Sequence, residues 1–248
     1  QADYFVLPSV ILKWVNHLQK LKSEDKLPSD LWITSSDNFA SWGGGDAAYH
    51  SEDLTALIKA VDYISIHTYP FHDTHYNSSF WLESQKNTEH LDAKARIELA
   101  VQSAVDYAVS QYQAVENYVK SLGVKVPIHI GETGWATASE NLYGTSGTQA
   151  ADEYKQALYY QKMSDWTIAN GVSCFYFEAF DEPWKDAPRP MGSENHFGLF
   201  DVQGGVKYAL WDAYDLGLFE GLIRDGIPLK KSFNGVFEEM FNTVKSLN

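Results

Sequence analysis

Apolar positions recur along the chain in two alternating rhythms. After Pro8, the residues Ile11, Trp14, Val15 and Leu18 share one face of a predicted helix, and Pro28 follows its end. Residues 31–36 (LWITSS) then read as a short buried strand, 52–61 as a helix, and 63–70 (YISIHTYP) as a second strand closed by a proline. A long helical period follows through Ile97, Val101, Ala104, Val105, Ala108, Tyr112, Val115, Val119 and Leu122, with Gly123 placed to end it. Residues 126–132 form a third predicted strand. A helix over 149–169 stops at Asn170-Gly171, and 172–180 (VSCFYFEAF) is a fourth strand. Val236, Phe237, Met240, Phe241 and Val244 predict a last amphipathic helix.

Strands that alternate with helices predict an α/β fold, a parallel sheet with helices outside it. Each predicted strand runs into polar or aromatic residues: Ser36-Asp37-Asn38, His67-Thr68-Tyr69, Glu132-Thr133 and Glu178. Ligands of such folds gather at the carboxyl ends of strands, so this line of side chains is the primary candidate site. Four strands are half of what a closed eight-stranded barrel needs, although the 248 residues match the usual length of one. Either further strands escape the pattern or the chain is half a barrel.

Composition narrows the partners. A net charge of -14 argues against nucleic acid and anionic membranes. The acidic balance suits a soluble protein with a neutral substrate; aromatics make up 15% of the residues, and many cluster near turns. No apolar stretch reaches the length of a membrane span, and no cofactor motif is visible. The triple glycine at 43–45 lacks the Lys-Ser or Lys-Thr of a phosphate loop. The single cysteine, Cys174, lies inside a predicted strand and reads as a packed thiol. The start at Gln1 predicts processing upstream, and Asn77-Ser78-Ser79 fits a weak glycosylation sequon.

Glu132 carries the chemistry most directly. A carboxylate at the end of a buried strand, between Gly131 and Thr133-Gly134-Trp135, is costly to place for packing alone. Its structural alternative is a cap for the next helix or an ion pair. The segment HIGETGWAT (129–137) resembles the nucleophile strand of glycoside hydrolase family 17, the β-1,3-glucanase family. YISIHTYP, FYFEAFDEPWK with ENHFGLF, and LWITSSDNFASWGGGD resemble neighbouring strands and loops, the last as in bacterial members. The resemblance runs through essentially the whole chain.

The resemblance implies a (β/α)8 TIM barrel of which this chain covers strands 5–8, residues 1–248 being the C-terminal half of one catalytic domain. It implies retaining hydrolysis by two carboxylates about 5–5.5 Å apart, with Glu132 as nucleophile; from their strand-end position, Tyr69 or His67 is expected to donate to it. The family's general acid sits in an Asn-Glu pair just before the segment that resembles DYFVLPSVILKWVNHL. Here that segment begins at residue 3, preceded by Gln1 and Ala2, so the acid is expected on an N-terminal half. Glu178 is the alternative acid, though a role in binding sugar hydroxyls is preferred for it. Glu182, Lys185 and Glu194 match the family's polar cluster after the last strand; the plain alternative is a solvated ion pair.

Among the aromatics at or beyond strand ends (Tyr69, Phe71, Phe177, Trp42, Trp135, Trp184), Trp135 and Trp184 are expected to be substrate platforms, with Trp42 a weaker candidate. Trp14, Trp32 and Trp166 are expected in the core. His67, His72, Asp73 and His75 raise a metal site, but a cleft loop is preferred and no metal is expected. The substrate implied is a laminarin-like β-1,3-glucan, too large for the cytoplasm, which implies an extracellular, periplasmic or cell-surface protein. A glucan transglycosylase, a glucan-binding but inactive fragment, and a β-1,4- or β-1,6-glucan hydrolase remain open.

Overall fold

The structure, a computed structural model, describes residues 7–247. Residues 3–6 of the family-like N-terminal segment, with Gln1 and Ala2, lie outside the described residues. The chain divides into two compact units: residues up to 68 with 108–132 and 170–175, and residues 69–107 with 133–169 and 176 onward.

The first unit holds a four-stranded sheet in the order β1 (Ser36–Asn38), β2 (Ile64–His67), β3 (Ile128–Thr133), β4 (Cys174–Tyr176). The pairs β1–β2 and β2–β3 are parallel. The sheet is open, so among the described residues no barrel closes. Helix α1 (Pro8–Ser23) opens on its proline, where the missing N–H costs nothing. Helix α2 (Glu52–Ala60) is capped by the Ser51 hydroxyl, which accepts from Leu54 N–H at 3.0 Å, and it buries Leu54, Leu57 and Ile58. The two helices pack together.

The sheet corrects several expectations. Residues 31–35 carry no ladder; Asp62 instead accepts the Ile33 N–H at 2.7 Å, and the strand begins only at Ser36. Strand β4 is three residues long, not nine. Trp14 and Trp32, expected in the core, are each 65% exposed. Trp14 lies a step round α1 from Val15, the residue that helix buries, and Trp32 precedes the strand and meets the Tyr63 ring at 5.8 Å. Trp42, offered as a weak platform, is buried, as is Gly43 beside it. A Cβ on Gly43 would lie 2.1 Å from the Tyr118 ring, so glycine is required by close approach.

The second unit contains α3 (Pro70–Tyr76), α4 (Ser79–Glu83), the start of α5 (Ala93–Ser121) and α6 (Glu153–Asn170). The long helix follows the predicted period: Ile97, Val101, Ala104, Val105, Ala108, Val115 and Val119 are all buried, and Gly123 takes φ +68° just past its end. Pro70 opens α3 instead of a loop. An aromatic core gathers Phe71, Trp81, Trp135, Tyr159 and Phe197. Towards the C-terminus, β5 (Gly205–Val206), α7 (Trp211–Asp215), β6 (Ile223–Arg224), β7 (Ile227–Pro228) and β8 (Lys230–Lys231) follow. Asp225 and Gly226 both have positive φ and turn the β6–β7 hairpin. The amphipathic helix expected over 236–244 is only α8 (Phe237–Phe241), five residues long.

Candidate active site

Glu132 sits one residue from the end of β3, and a register shift decides where it points. Ile66 pairs with Ile130, but His67 pairs with Glu132, so Gly131 is the extra residue of a bulge. Without it, strict alternation would put Glu132 on the face opposite His67. With it, the carboxylate joins His67: Oε2 lies 3.5 Å from His67 Nδ1. The His67 ring is held from behind, its Nε2 2.6 Å from Ser36 Oγ, which is 2.8 Å from Ser65 Oγ. The Thr68 N–H donates to the Glu132 carbonyl at 3.0 Å, and the buried Thr68 hydroxyl donates to Gln111. A Cβ on Gly131 would meet Ser65 Oγ at 2.1 Å and Ser36 Oγ at 2.7 Å. The small residues on β1, β2 and β3 thus make one polar column leading to a half-exposed carboxylate. His67, one of the two residues expected near Glu132, is brought next to it.

The second unit gathers most other candidates. Lys185 Nζ bridges Glu178 Oε2 at 3.0 Å and Glu182 Oε2 at 2.7 Å, and it stands 3.9 Å from the centre of the Phe177 ring. Glu178, whose side chain is 12% exposed, has a buried Oε1 with no donor among the described residues. Burial raises its carboxyl to about 7, Lys185 opposes, and the Glu182 carboxylate adds to the rise. Glu182 is held below the usual carboxylate range by its Lys185 hydrogen bond. Tyr69 packs edge-on against Phe177 and Phe197, at 6.1 and 5.9 Å. His72 Nδ1 lies 3.1 Å from the Tyr143 hydroxyl and its Nε2 3.6 Å from Glu194 Oε1. Burial lowers the His72 imidazole to about 4 and raises the Glu194 carboxyl, so this contact is not a strong ion pair at neutral pH.

Trp184 is 65% exposed and free to stack, as a platform must be. Trp135 is not. It is 0% exposed, its Nε1 donates to Ala150 O at 2.9 Å, and Phe71, Trp81 and Tyr159 crowd its ring. The expectation that Trp135 is a platform is overturned, because no ring face is left for a sugar. Phe71 is equally buried. Cys174 is a packed thiol that burial pushes up to about 12. Among the described residues no three His, Cys, Asp or Glu side chains form a metal-binding group.

Sequence reasoning missed the residues that shape the loop bearing Glu182, Lys185 and Glu194. Asp181 Oδ1 accepts from Gly198 N–H at 2.9 Å and from buried Lys207 at 2.7 Å, clipping both ends of that loop together. Asn195, fully buried, accepts from Asp186 N–H and donates to the carbonyls of Asp186 and Arg189. Only the buried-polar rule could have flagged them, and it needs a structure to apply.

The family model of the BtgE/BtgC glycoside hydrolase domain matches residues 15–198. The chain belongs to this glycoside hydrolase family. The glucan 1,3-beta-glucosidase of Arthroderma benhamiae is 28% identical to this glycoside hydrolase chain over 200 residues, which are 77% of the chain and 54% of the relative. The Saccharomyces cerevisiae protein of the same name is 28% identical over 176 residues, 68% of the chain and 45% of the relative. The chain therefore spans about half the length of the curated relatives it matches. A crystal structure of an endo-laminarinase from Formosa Hel1_33_131 superposes with a TM-score of 0.96 at 59% identity, covering 98% of this chain and 62% of that one. A glycoside hydrolase family 17 beta-1,3-glucanosyltransferase from Rhizomucor miehei, 20% identical, shares the fold at a TM-score of 0.51 over 78% of this chain and 53% of its own. These matches bear out the family-17 resemblance of the motifs. No helix among the described residues is long and apolar enough to cross a membrane.

Proposed function

We propose that the chain is the nucleophile-bearing part of a retaining β-1,3-glucan hydrolase acting on laminarin-like chains. The observation that carries this reading is the bulge at Gly131, which turns the Glu132 carboxylate to the face of His67, with Oε2 3.5 Å from its Nδ1. The endo-laminarinase similar over 98% of the chain supports the substrate class.

In this reading Glu132 attacks the anomeric carbon and forms a glycosyl ester, while a second carboxylic acid protonates the departing oxygen. Water, activated by that second carboxylate, then releases the sugar with its configuration retained. The chain is assigned strands 5–8 of a (β/α)8 barrel, and the general acid to a segment on the barrel's other half. The open four-stranded sheet and the coverage of about half of each relative support that division. Tyr69, Phe177, Glu178, Glu182, Trp184, Lys185 and Glu194 are assigned to sugar binding; the charged ones present paired donors and acceptors, and Trp184 an open aromatic face. A polysaccharide substrate places the protein outside the cytoplasm. Transfer to a sugar acceptor in place of water is the second reading, favoured by the family-17 glucanosyltransferase that shares the fold.

The deciding experiment is Glu132→Gln in the full-length protein. Laminarin turnover is expected to fall by roughly a thousandfold or more, the order lost when a covalent nucleophile goes, while oligosaccharide binding persists. Normal hydrolysis by the variant would refute the assignment.

A further inference from the structure

The His67 ring has a partner at each nitrogen, and the two partners differ in kind. Nδ1 faces Glu132 Oε2 at 3.5 Å, and Nε2 faces Ser36 Oγ at 2.6 Å. Ser36 Oγ is in turn 2.8 Å from Ser65 Oγ. These side chains stand on β1, β2 and β3, within the first unit. Ser65, Ser36, His67 and Glu132 form one row of polar contacts, and the direction of its hydrogens can be worked out from either end.

At one end, an ionised carboxylate only accepts, so the ring hydrogen that faces Glu132 sits on Nδ1. In a neutral imidazole Nε2 is then an acceptor, and Ser36 must donate to it. At the other end, Ser65 is 4% exposed, and among the described residues its hydroxyl bonds to Ser36 alone. A buried hydroxyl gives its hydrogen to the acceptor it has, so Ser65 donates to Ser36. Ser36 carries one hydrogen, which is left for Nε2. Both ends give the same order. If His67 carried two ring hydrogens, Nε2 would donate to Ser36, Ser36 would donate to Ser65, and the buried Ser65 hydrogen would lose its acceptor.

We propose that Ser36, directed by Ser65, is a positioning residue that holds neutral His67 with its hydrogen on Nδ1, so that the ring donates to the Glu132 carboxylate. The inference rests on reading Glu132 as the nucleophile. The short bond is the one at Ser36, while the contact at Glu132 is at the outer edge of hydrogen-bond range, so the ring is anchored from behind. Each donor in the row polarises the next. A held Oε2 limits rotation of the carboxylate before it attacks. A neutral ring does this without a full positive charge beside the nucleophile. Gly131 is part of the arrangement: a Cβ there would fall 2.1 Å from Ser65 Oγ and 2.7 Å from Ser36 Oγ, so glycine leaves room for both hydroxyls.

The test reads the ring directly. The full-length protein with isotope-labelled histidine is studied by two-bond proton–nitrogen correlation NMR at about pH 8, above the ordinary range of histidine. The His67 signals are assigned by their loss in His67→Gln. The parent is expected to show a protonated Nδ1 and an unprotonated Nε2. Ser36→Ala is expected to give a mixture of the two tautomers, to lower kcat on laminarin about tenfold, the order of one lost hydrogen bond, and to leave KM within about twofold. Ser36→Thr keeps the hydroxyl and is expected to restore the Nδ1 hydrogen and most of kcat. A parent ring protonated at Nε2, or at both nitrogens, would overturn the proposal. So would Ser36→Ala with the parent's tautomer, whatever its rate, or Ser36→Thr no better than Ser36→Ala. If the parent cleaves no glucan, the hydrolase reading falls, while the spectra still decide where Ser36 places the proton.

Discussion

Glu178 makes a pH prediction that can be worked from its surroundings. Its carboxyl is raised from the ordinary 4.5 to about 7, burial being the main cause, so the folded protein holds this proton more tightly than the unfolded chain. The stabilisation is then fully present below pH 4.5 and is lost as pH rises through 7. At about 1.36 kcal/mol per pH unit the full effect is roughly 3 kcal/mol. The side chain is only 12% exposed, so solvent screening removes little of it. Glu182 shifts the opposite way under Lys185, and its contribution changes only below the ordinary carboxylate range, outside this window. Glutamine keeps the shape of protonated Glu178 and has no proton to lose. Urea unfolding of the full-length protein and its Glu178→Gln variant, at pH 5 and pH 8, is the assay. The variant is expected to lose roughly 2–3 kcal/mol less than the parent between the two pH values. Equal losses would refute the buried, proton-holding description of Glu178.

Two further substitutions test how the site is built. Trp135→Ala should cost about 3–5 kcal/mol of stability, as large core truncations do; a stable variant with weakened sugar binding would restore Trp135 as a platform. Gly131→Ala forces a Cβ against Ser65 Oγ, 2.1 Å away, and should cost roughly 1–3 kcal/mol and lower kcat by displacing Glu132. Adding Ser65→Ala removes that hydroxyl and should recover part of both losses; no recovery would mean that the polar column does not position the carboxylate.

The helices were legible because burial follows their period. The face from Ile97 to Val119 on α5 is buried as its spacing predicts. The candidate site was legible in part because Glu132, Glu182, Lys185 and Glu194 stand in contiguous motifs. Strand limits were not legible: LWITSS is apolar enough for a strand, yet its ladder begins at Ser36, because Asp62 takes the Ile33 N–H that a neighbouring strand would otherwise accept. The C-terminal helix failed similarly. A pattern of Val236, Phe237, Met240 and Phe241 fits a helix, but five helical residues suffice to bury Met240.

By itself, the sequence determined the alternation of strands and helices, the acidic surface charge and the motif that places a carboxylate at a strand end. These depend on residue type and local spacing, which a linear pattern records. The tertiary structure alone decided which way that carboxylate faces, which aromatic rings stay open and which carboxyl holds its proton more tightly. The Gly131 bulge needs the pairing partner on β2 to exist. Trp135 and Trp184 are the same residue type near strand ends, yet one is enclosed by Phe71, Trp81 and Tyr159 and the other is open to solvent. Glu178 and Glu182 share one lysine, and burial separates their proton affinities. Burial and pairing belong to contacts between distant segments, so they arise only when the chain has folded.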